Sequence, residues 1–442
     1  MAGRLDGGFL GGEQTPRLQT EHDDLHTQRL SVGGARYSAA FWRAYAMTQM
    51  TLNPNIPESI RAVAADGTQL RYALMELTAQ YPDAIALGRG DPDLACPPYI
   101  LEAAQRALRS HPNEITPVAG LMTLREAIAD KLKRENGIPA SKDNVIVTTG
   151  GQEGLFLIMQ ALLNPGDEVL VPDPRYTSYD EAIESAGGRM VMIPTDHEDA
   201  FNLRAEAVEA AITPRSKVLL IVTPSNPTGG IVTEERLRAI AEVAIRHNLI
   251  VISDEIYEKF VYDNWQHFSI ASLPSMAERT ITLNGFSKTY AMTGLRVGYV
   301  CAPANVIDAM ARVKALTTGP AAAISQRAAL AALLGPQETI DSFRRIYDER
   351  RRVMMNGLTA LGLDYSEPRG AFFLWTNSGS TGIHATELSY LLLKEGRVLI
   401  FPGTGFGSNW GGYLRISVLQ STDLLKEALE RMRPIIERYR AT

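Results

Sequence analysis

The sequence predicts an α/β fold: a large domain with a mostly parallel sheet covered by helices, joined to a smaller α+β domain. Three observations carry this reading. From about residue 69 onward, helical and strand-like patterns alternate, as right-handed β–α–β crossovers require. Several strand-like runs are apolar throughout rather than alternating, which suits strands covered on both faces. After about residue 334 the alternation gives way to one long charged helical pattern followed by short strands.

Taken in order, residues 1–47 are rich in Gly, Arg, Asp and Gln and show little periodicity. They lack the pattern of a signal peptide, and their acidic residues argue against a transit peptide. A disordered extension is expected there, with a true start at Met47 or Met50 as the alternative. Residues 98–110 and 121–136 have helical spacing. A short strand at 145–149 runs into a glycine cluster and then a helical stretch at 154–163. Further strands are expected at 168–171, 218–222, 250–253, 280–283 and 297–301. The last part reads as a helix at 338–361, strands around 371–375, 398–401 and 413–417, and a terminal helix. The domain division that follows is 98–334 for the large domain, with 60–97 and 335–442 forming the small one.

Composition narrows the function. The 442 residues are 45% hydrophobic and 21% charged, with a net charge of -6. That balance supplies no basic field for nucleic acid. Two cysteines cannot build a disulfide framework and fit a reducing, cytoplasmic compartment. The seven histidines show no metal-ligand spacing, and no apolar run approaches the roughly 18 residues a membrane span needs.

The conspicuous polar residues fall at the carboxyl ends of the expected strands, where ligands bind in such sheets. Lys288, after the strand at 280–283, has Arg296 eight positions on; nearby positive charge makes an ammonium easier to deprotonate, which Schiff-base chemistry needs. A lone lysine is otherwise a solvated surface group. Gly150, Gly151 and Gln152 lie between a strand and a helix, either as a tight turn or as an anion cup beside the free N–H groups of the helix start. Tyr176 serves either core packing or the face of a planar ring. Asn226 sits in turn chemistry after a strand, yet can donate to a phenolate-like oxygen. Asp254 either caps the next helix or pairs with a protonated ring nitrogen. Arg415, amid an apolar strand, implies a carboxylate partner, internal or from a substrate. As a set, with Tyr257, these residues meet the needs of pyridoxal 5'-phosphate.

The chain resembles the class I/II aminotransferases of the aspartate aminotransferase fold type, from about residue 59 to 439. The matching motifs are Gly90-Asp-Pro-Asp93, Gly120 with Leu124-Arg-Glu-Ala-Ile128, Val147-Thr-Thr-Gly150, Asn226-Pro-Thr-Gly229, Asp254-Glu-Ile-Tyr257, Ser287-Lys288 with Arg296, Pro402-Gly403, and Arg415-Ile-Ser417. The resemblance implies a seven-stranded sheet and a homodimer with sites at the subunit boundary. It also implies ping-pong transfer of an amino group between an L-amino acid and a 2-oxo acid. It assigns Lys288 to the Schiff base and proton transfer, Asp254 to the pyridine nitrogen, and Asn226 and Tyr257 to the ring hydroxyl. Tyr176 stacks on the ring; Arg296, Ser287 and the amides around Gly151 and Gln152 hold the phosphate. Arg415, assisted by the backbone of Gly90, clamps the substrate carboxylate.

Three positions depart from the family pattern. Ile115 replaces a tyrosine that reaches the partner subunit's phosphate, Gly285 replaces a phosphate-binding serine, and Gln152 stands where some aspartate-preferring members carry lysine. Arg89 is unusual beside Gly90; it reads either as an exposed loop residue or as a contact for the distal group of an acidic substrate. The rival reading is a lyase or synthase on the same scaffold, such as C–S β-elimination or aminocyclopropane carboxylate synthesis. A transcription regulator would need a basic helix-turn-helix that the first 60 residues do not offer. A catalytically dead binding module would have little reason to keep Lys288, Asp254 and Arg415 together.

Overall fold

The computed structural model describes residues 67–440; the extension expected at 1–47 lies outside them. A helix, Gly67–Thr78, leads to the short strand β1 (Ile85–Ala86). Seven strands then form the large sheet: β2 (Val145–Thr148), β3 (Glu168–Asp173), β4 (Arg189–Pro194), β5 (Ser216–Val222), β6 (Ile250–Asp254), β7 (Thr280–Gly285) and β8 (Gly298–Cys301). Their order is β2-β8-β7-β6-β5-β3-β4. All pairings are parallel except the two made by β8, to β2 and to β7.

The apolar strands are buried on both faces for the reason their sequence suggests. In β5, Val218 and Leu220 pack toward helices Gly150–Leu162 and Ala304–Thr317. Their neighbours Leu219 and Ile221 point the other way, toward helices Ala205–Ala211 and Glu234–Arg246, as the two-residue period of a strand dictates. Each such side chain, fully buried, contributes about 1.5–3 kcal/mol of transfer free energy. Between β3 and β5 the chain changes direction across the sheet, since β4 lies on one side of β3 and β5 on the other. That switch opens a crevice at the carboxyl ends of the strands.

A second sheet, in the order β12-β13-β10-β9, comprises β9 (Asp364–Tyr365), β10 (Phe373–Asn377), β12 (Phe401–Pro402) and β13 (Tyr413–Ser417). Between β10 and β12 in the chain, β11 (Val398–Leu399) pairs in parallel with β1. The stretch 398–401, expected as one strand, is therefore split between two sheets at Ile400. The strand expected at 371–375 runs instead from Phe373 to Asn377, because Ala371 takes a left-handed φ of 57° that ends regular pairing. The helix expected from residue 154 begins four residues earlier, at Gly150. The first helix docks through Leu70 and Leu74 against Trp375, Phe401, Phe406 and Trp410.

Candidate active site

The crevice at the strand ends is a cavity of about 580 Å³. Of the residues singled out in the sequence, it is lined by Lys288, Gly151, Gln152, Tyr176, Asn226, Asp254, Tyr257, Ser287, Arg296, Gly90, Arg89 and Arg415. Gly150 stands directly behind the wall: a Cβ there would come 2.5 Å from Nη2 of Arg296.

Lys288 follows the end of β7. Its Nζ donates to the carbonyl of Gly90 at 2.8 Å and to Oδ1 of Asp91 at 3.3 Å. Burial pushes the amine below its ordinary value and Asp91 opposes this, while Arg415 and Arg296 add to the lowering. Asp254 ends β6 and is buried. Its Oδ2 accepts from the hydroxyl of Tyr179 at 2.8 Å and its Oδ1 from the amide of Ile256 at 3.2 Å. Burial raises this carboxyl to about 6, which the bonds from Tyr179 and Ile256 only partly offset. No ion pair to it is present among the described residues, so a buried acid faces the cavity without a cation. Burial likewise pushes the Tyr257 phenol up, and its ring packs edge-on against Phe372 and Phe373.

Arg415 lies at the centre of β13, between Trp375 and Phe401 in register. Its Nη1 donates to Oδ1 of Asn226 at 2.8 Å and its Nη2 to the carbonyl of Gly88. Its Nε is buried without a partner. The rings of Phe373 and Phe406 lie 4.3 and 4.4 Å from its guanidinium carbon. The carboxylate partner implied by a buried arginine is thus absent among the described residues. Arg296, at a left-handed φ of 49°, returns to the start of the helix at Gly150. Its Nη1 donates to the carbonyl of Thr293 at 3.0 Å, and it too lacks an ion pair among the described residues.

These features fit pyridoxal phosphate as a donor set. The helix N-terminus at Gly150–Gln152 and the Arg296 guanidinium form a cradle that a side chain at Gly150 would fill. A Cβ added at Gly151 would meet nothing within 4 Å, so the backbone there is open to an anion. At the opposite end the uncompensated Asp254 suits a protonated ring nitrogen.

The departures also have positions. Ile115 is 85% exposed. Gly285 does not line the cavity; a Cβ there would stand 3.1 Å from Ile256 Cδ1 and 3.2 Å from the Cα of Gly298. A serine would therefore be forced against the neighbouring strand. The Arg89 side chain is 57% exposed, and its Nη2 is 3.5 Å from Asp91. Sequence reasoning gave no role to Tyr179, Asp91 or Arg71. Tyr179, in the first turn of helix Ser178–Ser185, lies three residues beyond Tyr176, with the two ring centroids 5.8 Å apart, and could have been noticed by that spacing. Arg71, in a helix whose pattern is ordinary, offered no signal.

An α/β sheet with a largely buried lysine, an uncompensated aspartate and an unpaired arginine around one crevice matches the scaffold of the fold type I pyridoxal-phosphate-dependent transferases. Residues 82–432 match the family "Aminotransferase class I and II", and the chain belongs to that family. It is 40% identical over 372 residues to an aspartate aminotransferase of Pyrococcus abyssi, spanning 84% of this chain and 96% of that one. It is 39% identical to aromatic-amino-acid aminotransferase 2 of Thermococcus litoralis, over 82% of this chain and 94% of the other. The crystal structure of an aromatic aminotransferase from Pyrococcus horikoshii superposes with a TM-score of 0.80 at 40% identity, covering 84% of this chain and 100% of that one. The chain is an aminotransferase, and the lyase reading is not favoured.

Proposed function

We propose that this enzyme binds pyridoxal 5'-phosphate in the cavity and uses it to move an amino group between an L-amino acid and a 2-oxo acid in a ping-pong cycle. The observation that carries the proposal is the meeting of Lys288, Asp254 and Arg415 in one cavity, the acid and the arginine each without an ionic partner among the described residues. When bound, the cofactor supplies an aldehyde for an amine and a ring that accepts electrons from the substrate's α-carbon.

The residues divide the remaining work. Lys288, whose ammonium form burial disfavours, would be the amine that holds the cofactor's aldehyde and the group that takes a proton from the substrate α-carbon. Asp254, held by Tyr179 and Ile256, keeps a proton on the ring nitrogen. Asn226 and Tyr257 hold the ring oxygen, and Tyr176 covers the ring face. Arg296, Ser287 and the amides at Gly150, Gly151 and Gln152 hold the phosphate. Arg415 clamps the α-carboxylate beside the backbone of Gly90, whose carbonyl also accepts from Lys288 at 2.8 Å. The relatives are named for aspartate and for aromatic amino acids, so the donor is sought in those two classes.

A cytoplasmic homodimer is part of this reading. The exposed apolar side chains of Ile115 and Met122 are surface that a second copy would cover, and sedimentation reads the state directly. The chemistry is tested by reducing the cofactor-loaded protein with borohydride and mapping the modified peptide. A tag on Lys288, with a 2-oxo acid appearing from an amino donor, is expected; a tag elsewhere, or none, overturns the assignment.

A further inference from the structure

Three arginines on the cavity lack a carboxylate partner among the described residues, and the proposed chemistry uses only two. Arg296 stands at the cup near Gly150. Arg415 stands at the other end. The third, Arg71, comes from the first helix, Gly67–Thr78, and lines the same cavity. Its Nη1 donates to the carbonyl of Gly405 at 2.7 Å, while the contact of Nη2 with Thr68 Oγ1 is long, at 3.5 Å. Its guanidinium also lies 5.5 Å from the centroid of Tyr176. The acidic groups nearby do not neutralise it. Both carboxylate oxygens of Asp180 are taken by Arg175, and Glu181, exposed at the cavity's edge, makes no ion pair among the described residues.

Arg71 and Arg415 flank one ring. Their guanidinium carbons lie 5.0 and 4.4 Å from the centroid of Phe406, which is fully buried. Those distances keep the two carbons within about 9 Å of each other, close enough for two carboxylates on one short chain to reach both by charge-assisted hydrogen bonds. The carboxyl carbons of a four- or five-carbon diacid are about 4–5 Å apart from bond lengths alone. Two guanidinium groups so close repel, and burial sharpens the repulsion; a dianion between them removes it.

We infer that Arg71 is a specificity-determining residue that binds the distal carboxylate of a dicarboxylic substrate, while Arg415 holds the α-carboxylate. The inference rests on the proposed role of Arg415 and selects the acidic donor class over the aromatic one. It also moves the distal contact from Arg89, which is half in solvent and engaged with Asp91, to a cavity arginine that has no ion pair among the described residues.

The test is calorimetric binding of succinate and of butyrate, a chain of the same length with one carboxylate, to the cofactor-loaded full chain. The wild type is expected to bind succinate at least ten-fold more tightly than butyrate. Arg71→Met should lose at least ten-fold in succinate affinity and less than three-fold in butyrate affinity. Arg71→Lys, which keeps the charge without the bidentate fork, should fall between and serves if the methionine variant does not fold. Arg89→Ala should preserve the ratio. A wild type without succinate preference, an unchanged ratio in both Arg71 variants, or a collapse in Arg89→Ala overturns the inference. Failure of the broader reading looks different: the wild type would release no 2-oxo acid from any amino donor.

Discussion

Replacing Asp254 with asparagine should stabilise the cofactor-free protein at neutral pH while crippling the enzyme. The carboxyl of Asp254 is raised to about 6 by burial, against about 3.9 in an unfolded chain. A folded pKa above the unfolded one means that the folded state binds the proton more tightly. The carboxyl therefore costs nothing well below pH 4, and the cost grows as pH rises through the unfolded value. It is complete above the folded one. A rise of that size corresponds to roughly 3 kcal/mol at pH 8, with about half of it already present at pH 5. Asparagine removes the charge without stranding its neighbours. Its oxygen can accept from the Ile256 amide, and the Tyr179 hydroxyl can turn to accept from its NH₂, because a hydroxyl both donates and accepts. Urea unfolding of the cofactor-free wild type and Asp254→Asn, followed from pH 5 to pH 8, checks this. The variant should be the more stable at pH 8, with the gap shrinking by about 1–2 kcal/mol toward pH 5. A gap that is absent, reversed or independent of pH would refute the claim that burial holds this carboxyl uncompensated. In the loaded enzyme the same substitution should cut kcat by at least about 100-fold, since the ring nitrogen loses its counter-charge.

Other expectations follow from single contacts. Tyr179→Phe removes the 2.8 Å bond to Asp254, so the carboxyl should rise further and cofactor affinity should fall by about 1.5–3 kcal/mol in equilibrium dialysis, the range for a bond to a charged group. Arg296→Ala should weaken cofactor binding by a similar amount with little change in substrate KM once loaded, measured by titration and steady-state kinetics. Gly285→Ser should destabilise the fold by about 1–3 kcal/mol in urea, because its Cβ meets Ile256 and the Gly298 backbone; an unchanged midpoint would mean that the strands part there at little cost. Lys314→Met strands Glu153, which accepts from Lys314 at 2.7 and 2.6 Å beside the helix that opens the cup, and should cost about 3–5 kcal/mol in the same urea measurement.

Which parts were legible in the sequence follows from how each part is made. Asp254, Asn226 and Lys288 stood out because a polar residue at the end of an apolar strand is a local event, visible within a few positions. Arg415 stood out because a charge amid Tyr413, Leu414 and Ile416 contradicts its surroundings. The edge strand β4 was missed because its residues are largely half-exposed or exposed, which removes the continuous apolar run of its neighbours. Arg71 was illegible for a different reason. Its helix has Leu70 and Leu74 buried and Tyr72 and Met75 exposed, an ordinary amphipathic pattern in which an arginine reads as solvated. What makes it a cavity residue is Phe406 and Gly405, 334 positions away from it in the chain for the latter.

The charges of the cavity are out of balance in a directed way. On this one cavity Arg296 awaits an anion, Arg71 and Arg415 await two, and Asp254 awaits a cation. Groups buried without partners are costly, so a fold that keeps them has placed that cost where a ligand can remove it. A phosphate with a protonated ring would satisfy Arg296 and Asp254, leaving the pair beside Phe406 for the substrate. The two ligands would then relieve separate costs. An aromatic amino acid offers one carboxylate and a ring; it would satisfy Arg415 and leave Arg71 facing apolar surface. The second arginine thus turns a general amino-acid site into one that discriminates by charge at the far end of the substrate, because a site built around an ion penalises the ligand that leaves it unpaired.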